Sequence, residues 1–370
     1  MNMNFHQTTE LYTGRGCVAA KGALMARLGK KCLILTGATA AKACGALADV
    51  TAVLDGCGIE YRVYDRVGQN PAMENCVEAG ELAREYGAEF IIGIGGGSPI
   101  DAAKAAAAVA ANPGLDHGEL VKSRFPVHPL PIVAVGTTAG TGTEVTGVAV
   151  ITDYDGEKKS LRGPMLYPAL AYGDPGYTMS LPDYFTRSTA VDALAHCTES
   201  YFSQAANEIS SAFAVRGVQL LMEGFAAIAE KGTEELSYEE REKLYYGSIY
   251  GGYALTVTST VFPHGIGLIL SEKRGLPHGL ACGVFQPKFF ARNKEKAPER
   301  YAEFFRAVGV SPERYMELFE AVMPKLDITL TREDILPQEP RWAASGSVKR
   351  TLGGMSPEEV TEILCEMFVK

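Results

Sequence analysis

Six histidines occur in the 370 residues: His6, His117, His128, His196, His264 and His278. The last three share the second half of the chain with a carboxylate at helical spacing. Asp192 and His196 stand four apart in TAVDALAHCTE, so on a helix both side chains lie on one face and can share a cation. His264 and His278 stand 14 residues apart in PHGIGLILSEKRGLPHG, each after a proline and before a glycine. Taken singly, each histidine reads as a surface partner, a helix cap or a packed side chain. One carboxylate and three imidazoles in one half of the chain read instead as a metal site. Mixed nitrogen and oxygen ligation suits a divalent ion such as Fe(II) or Zn(II).

Residues 90–104, FIIGIGGGSPIDAAK, run an apolar strand into Gly95, Gly96, Gly97 and Ser98 and then into a helix, with Pro99 in its first turn, where the missing N–H is no loss. Bare glycines let the backbone approach a phosphate, and the helix N-terminus offers unpaired N–H donors. The pattern is neither GxGxxG nor GxxxxGK[ST], and a glycine triplet alone would read as a tight turn. Its position between strand and helix favours a pyrophosphate cradle. A second stretch, GTTAGTGTEVT at 136–146, supplies Thr137, Thr138 and Thr141, whose hydroxyls and backbone suit ribose and phosphate oxygens. Two such loops leaving one sheet edge would form a nucleotide cleft at the carboxyl ends of the strands.

The elements that must position these residues change in texture along the chain. Apolar runs at 32–36, 90–94, 132–135 and 148–151 suit strands buried on both faces. Helical spacing between them, as at 75–87, implies a parallel sheet covered by helices. From Leu181 onward amphipathic segments at 183–202, 209–231, 238–253, 298–308, 312–323 and 356–368 follow one another without clear strand alternation. The expected organisation is an α/β domain with a Rossmann-like parallel sheet over 1–178 and an all-α domain over 179–370.

Composition narrows the function classes. Hydrophobic residues at 46% and charged residues at 21% describe a folded globular chain. A net charge of -9 with no basic patch argues against nucleic acid. No run approaches the ~20 uninterrupted apolar residues of a membrane span, and the first ten residues lack a signal-peptide pattern. Eight scattered cysteines without a CxxC pair read as reduced packing thiols. The cytoplasm is the expected compartment.

The chain resembles the iron-containing, or group III, alcohol dehydrogenases along essentially its whole length. The likeness is carried by Asn70-Pro71, Gly95 to Pro99 with Asp101 and Lys104, Thr137 to Thr141 with Glu144, Asp192 to His196, and the pair His264 and His278. It implies a dinucleotide-binding domain followed by a helical one, in a dehydroquinate-synthase-like architecture, with a catalytic divalent metal in the cleft between them. Asp192, His196, His264 and His278 are then its ligands, iron(II) being the first expectation and zinc(II) the second. Asn70 and Asp101 join the nucleotide-binding set, and Lys158, or its neighbour Lys159, lies near the nicotinamide ribose. The resemblance also implies a homodimer or larger assembly.

Two departures stand out. Many relatives carry another histidine four residues after the third metal ligand, where this chain has Leu268. Several NAD-preferring relatives place an aspartate just past the first strand, where it repels a 2'-phosphate; Gly37 in LTGAT removes that repulsion and favours NADP(H). The expected activity is interconversion of a small alcohol and its aldehyde or ketone by hydride transfer, with Phe262 and Leu268 lining an apolar pocket. Lys273 and Arg274 could favour an acidic substrate tail but read first as surface charge. A dehydroquinate-synthase-like lyase is the alternative, though its rich set of basic residues is missing. A non-catalytic metal- and nucleotide-binding homologue, prompted by Leu268, is the third reading.

Overall fold

The most apolar runs form the strands that are covered on both faces. In a computed structural model describing residues 3–369, Lys31–Thr36, Phe90–Gly95, Ile132–Gly136 and Leu170–Gly173 are almost wholly buried. With β1 Glu10–Thr13, β2 Lys31–Thr36, β3 Glu60–Tyr64, β4 Phe90–Gly95, β5 Ile132–Gly136, β6 Val148–Thr152, β7 Lys158–Arg162 and β8 Leu170–Gly173, the order of the parallel sheet is β1-β8-β5-β4-β2-β3. Covering helices satisfy the apolar faces of such a sheet. The alanine-rich helix Gly97–Ala111 lies close to its neighbour Met73–Tyr86 because Gly80 leaves room: an added Cβ there would stand 2.6 Å from Val109 Cβ.

One strand expectation is corrected. Val148 to Ile151 is not a strand of the parallel sheet, because β6 pairs antiparallel with β7 in a separate two-stranded ribbon. Its residues alternate between buried and half-buried, the pattern of a strand covered on one face only. β1, β3 and β8, which the sequence reading did not single out, complete the sheet; β1 and β3 are its edges and carry polar residues.

The described chain separates into two compact units, residues 6–181 and residues 182–369 with 3–5. The second contains no strand among its described residues. Its helices start where the sequence offers caps: Asn207 with Ser210, and Ser237 with Glu240, form reciprocal capping boxes at Glu208–Lys231 and Tyr238–Thr258. Its core includes an aromatic cluster of Phe202, Phe289, Phe290, Phe304, Phe305 and Tyr315. Glu208–Lys231 is long and apolar enough on average to cross a membrane, although charges interrupt it and more than half of its apolar window is buried in the unit. Length and composition here describe a core helix.

Candidate functional site

Within the helical unit, Asp183–Tyr201 is a 19-residue helix whose second half is buried throughout. Asp192, His196 and Glu199 fall at i, i+4 and i+7, one face of that helix. His264 sits in the first turn of Phe262–Arg274, and His278 opens the helix His278–Gly283. Gly279 lets this short helix press against the first: a Cβ there would stand 2.1 Å from the Ser188 carbonyl oxygen and 2.8 Å from Asp192 Cβ. That contact explains the glycine of the PHG sequence in steric terms.

The helices bring their polar tips together. His264 Nε2 stands 3.3 Å from Asp192 Oδ1, and His196 Nε2 stands 3.7 Å from the same oxygen. The His264 ring stacks on His196 at 4.7 Å and meets His278 edge-on at 5.1 Å. One donor atom each from Asp192, His264, His278 and Cys282 lies within 4.8 Å of the other three. Of the four residues that the sequence proposed, Asp192, His264 and His278 are in this set, His196 lies beside it against the same Asp192 oxygen, and Cys282, taken as a packing thiol, stands among them.

These donors fit a divalent cation. Asp192 Oδ1 and His264 Nε2 are buried with no hydrogen-bond partner, an arrangement that costs about 1–3 kcal/mol per orphaned group unless something satisfies both. An ion does so. Burial alone would raise the Asp192 carboxyl, but His196, His264 and His278 overcome it and hold the group below the usual carboxylate range. Glu199 Oε1 meets His264 Nδ1 at 2.5 Å, and its other oxygen accepts from the Val261 N–H at 2.9 Å. Burial pushes Glu199 up. Against its own burial, His264 is pushed up by Cys282 and Glu199. A proton shared on the Nδ1 side leaves the Nε2 lone pair for a metal, the arrangement in which a carboxylate orients a ligating histidine. Sequence reasoning missed Glu199 and Cys282. The signals were available: Glu199 at i+7 from Asp192, and Cys282 at i+4 from His278.

Other expected neighbours have different places. Phe262 is fully buried and packs edge-on against Phe289, as part of the core. Arg274 is engaged by Asp334 and the Thr329 carbonyl, so it is a structural surface charge rather than a free anion receptor. Leu268 is half-buried.

In the α/β unit, Gly37 follows β2, Gly95 ends β4 and Thr137 follows β5, so all three lie at the carboxyl edge of adjacent strands. β3 and β4 flank β2 on opposite sides, which makes the β2/β4 boundary the switch point where such sheets bind nucleotides. Gly95 has φ +154°, and a side chain there would collide with Pro99 at 2.5 Å. Cβ atoms on Gly96 and Gly97 would meet Thr138 at 3.0 Å and Thr141 at 2.9 Å, so the threonine loop lies directly on the glycine turn. Asn70, at φ 54°, donates its N–H to Ser98 Oγ at 3.1 Å. Lys158 pairs in register with Thr152, whose N–H donates to the Pro71 carbonyl, while Lys159 forms ion pairs with Glu157 and Asp155.

Asp101 and Lys104 face inward from the helix that follows the glycine turn. Asp101 accepts from Thr143 Oγ1 at 2.7 Å and from the Val150 N–H at 2.8 Å. Lys104 Nζ donates to the carbonyls of Thr143, Thr146 and Val148 at 2.8, 2.8 and 2.7 Å. Burial presses Lys104 down to about 8 and Asp101 up, while each favours the other's charge. The pair ties the threonine loop to the helix, and Asp101 has both oxygens engaged in doing so.

A parallel sheet with a glycine turn at its switch point, followed by a helical unit with a buried cluster of metal-binding side chains, sets the frame for comparison with known proteins. Residues 8–175 match the iron-containing alcohol dehydrogenase family, and residues 186–335 match the C-terminal part of the Fe-containing alcohol dehydrogenase family. The chain belongs to the iron-containing alcohol dehydrogenase family and is an oxidoreductase of that family. It is 32% identical over 287 residues to alcohol dehydrogenase 4 of Saccharomyces cerevisiae strain YJM789, covering 76% of this chain and 74% of the yeast one. It is 30% identical over 301 residues to lactaldehyde reductase of Escherichia coli strain K12, covering 80% and 77%. The crystal structure of an iron-containing alcohol dehydrogenase from Thermotoga maritima superposes with a TM-score of 0.90 at 30% identity, covering 98% of each chain.

Proposed function

We propose that the chain interconverts a small alcohol and its aldehyde or ketone, using a divalent ion held by Asp192, His196, His264 and His278 and a nicotinamide dinucleotide, NADP(H) before NAD(H). The observation that carries this reading is the pair of unpartnered buried atoms, Asp192 Oδ1 and His264 Nε2, 3.3 Å apart beside His278 and Cys282. When bound, the ion supplies a Lewis acid for the substrate oxygen and the nicotinamide gives or takes the hydride.

The residues of this chain have the remaining tasks. Glu199 holds the His264 proton on Nδ1 and so keeps Nε2 available as a ligand. Asp192 contributes a negative charge that its histidine neighbours maintain. His196 stacks on His264 and turns its Nε2 towards the same Asp192 oxygen, 3.7 Å away. In the other unit, Gly95 to Ser98 would hold the pyrophosphate with backbone N–H groups, Asn70, Thr137, Thr138 and Thr141 would line that cradle, and Asp101 would brace it through Thr143 and the Val150 N–H. Lys158 would contact the nicotinamide ribose. Leu268 puts no imidazole one turn past His264, so this chain would offer no side chain there to relay a proton.

Preference for NADP(H) is supported by Gly37, where a Cβ would find only the Val67 carbonyl oxygen, at 3.4 Å. Eight free cysteines suit a reducing compartment, the cytoplasm. Elemental analysis of the purified protein, combined with aldehyde-dependent oxidation of NADPH and NADH, tests the whole reading. A stoichiometric divalent metal with faster NADPH oxidation is expected. Metal and NADPH bound without turnover across a broad aldehyde panel would favour the non-catalytic reading instead.

A further inference from the structure

We propose that Arg350 is an anion receptor in the helical unit, and that the aldehydes this chain reduces carry an oxyanion on a short tail: a carboxylate, sulphonate or phosphonate. The inference rests on the aldehyde-reducing reading given above and narrows its substrate class.

An unmatched charge is the first ground. Arg350 is half-buried, and its guanidinium meets only neutral acceptors: Nη2 donates to Ser259 Oγ and to the Thr260 carbonyl, both at 3.3 Å. Nε is buried with no acceptor, and among the described residues no carboxylate pairs with this side chain. Arg274, Arg292 and Arg341 in the same unit each hold one, from Asp334, Glu359 and Glu272. Burial pushes the Arg350 guanidinium down from its usual range, with no acidic neighbour to oppose the shift. A cation drawn part-way out of water without a counter-charge is unfavourable until an anion arrives. Nη1 also lacks an acceptor, and the glycine at 346 leaves it room, since a Cβ there would stand 2.8 Å from that nitrogen. The planar N–H donors of a guanidinium match the oxygens of a carboxylate, sulphonate or phosphonate.

Position is the second ground. Thr351 Oγ1 accepts from the Phe262 N–H at 3.2 Å, and Ser347 Oγ is hydrogen-bonded to Thr260 Oγ1 at 3.2 Å. A Cβ on Gly265 would stand 2.9 Å from Ser347 Cβ, so the short helix Gly346–Lys349 lies on the first turn of Phe262–Arg274, the turn that carries His264. The peptide joining Thr260 to Val261 has its carbonyl on Arg350 and its N–H on Glu199, whose other oxygen engages His264. The dimensions of that peptide keep Nη2 within about 9 Å of the Glu199 carboxylate. A short aldehyde held by its tail at Arg350 has only this turn between its anion and the donor atoms around His264. Arg274, a residue that sequence offered for an acidic tail, is already occupied; Arg350 is not.

Ser259 adds an independent sign. Its backbone, at φ 56° and ψ -177°, lies in a region where side chains are strained and glycine is the usual occupant. Glycine would relieve that strain but would take from Arg350 the hydroxyl that holds its Nη2.

The test compares 4-oxobutanoate, sulphoacetaldehyde and phosphonoacetaldehyde with neutral butanal, using the metal- and NADPH-loaded full chain. At least one charged aldehyde is expected to exceed butanal in kcat/KM by about tenfold or more, and the arm that does so identifies the oxyanion. In Arg350→Gln that charged-to-neutral ratio should fall about 10- to 100-fold, the usual worth of a hydrogen bond to a charged group. The fall should come chiefly through KM, because the tail is remote from the reacting carbon. Arg350→Lys, which retains the charge without the planar fork, should restore part of the ratio. Propanoate, ethanesulphonate and ethylphosphonate carry the tail without an aldehyde; the matching one should slow hydrogen exchange at residues 259–262 and 346–351 in the unmodified chain but not in Arg350→Gln. A ratio near one in the unmodified chain, or a ratio that survives Arg350→Gln, would overturn the receptor while leaving aldehyde reduction intact. Reduction of no aldehyde, charged or neutral, would remove the underlying reading and this one with it. The unmodified chain's ratio decides the first point even if the variant does not fold.

Discussion

His264 has two ring nitrogens with different neighbours, and that difference organises the site. Nδ1 is engaged by Glu199, and Nε2 faces Asp192 with nothing to bond. His264→Ala should therefore abolish metal binding and turnover while NADPH still binds the α/β unit, which elemental analysis and a fluorescence titration would show. Retained metal with normal turnover would contradict the assignment. Glu199→Gln keeps the shape of the side chain and removes its charge. Metal affinity should fall about 10–100-fold, the usual effect of losing such an orienting partner. Competition with a chromogenic chelator measures it, and an unchanged constant would make Glu199 merely a packing residue.

At the scale of elements, one helix serves the glycine turn and the threonine loop together. Lys104 reaches from Gly97–Ala111 to three carbonyls around the loop, and Asp101 takes the opposite charge. Lys104→Met leaves Asp101 buried without its cation and three carbonyls without a donor, and removal of one partner from a buried pair costs about 3–5 kcal/mol. Denaturant unfolding should register that loss, and NADPH binding should weaken with it; a change within error would show that water replaces the ammonium. The proposed preference for NADP(H) assigns cofactor choice to the turn after β2. Gly37→Asp has room for its Cβ and sets a carboxylate where a 2'-phosphate would lie, so the Kd for NADPH should rise more than that for NADH. Equal changes would place the discriminating residue elsewhere.

At the scale of the whole molecule, the two compact units carry the two proposed ligand sets, the nucleotide cradle within residues 6–181 and the metal donors within 182–369. A ligand that binds only the native state stabilises what it contacts by RT ln(1 + [L]/Kd), about 2.7 kcal/mol at a hundredfold excess over Kd. Hydrogen exchange should read this as a division: added Zn(II) slows amides in Asp183–Tyr201, Phe262–Arg274 and His278–Gly283, while NADPH slows those around Gly95 to Asp101 and Thr137 to Thr146. Protection of the glycine turn by metal alone would show that the ligand sets are misassigned. The net charge of -9 adds no general attraction for a dinucleotide, so its binding depends on local backbone donors and the helix terminus.

Much of this was legible in order along the chain. The central strands, the glycine turn and the Asp192 and His196 pair are local signals, because burial on both faces, close backbone approach and a shared helix face each leave a pattern within a few residues. The antiparallel pairing of Val148 to Ile151 was not, since an apolar run has the same composition whether its partner is parallel or antiparallel. Nor was the approach of His278 and Cys282 to Asp192 and His264. Spacing marks a shared helix face but not what lies opposite it. The packing of His278–Gly283 against Asp183–Tyr201 at Gly279 decided that, by bringing side chains some ninety positions apart within 4.8 Å of one another.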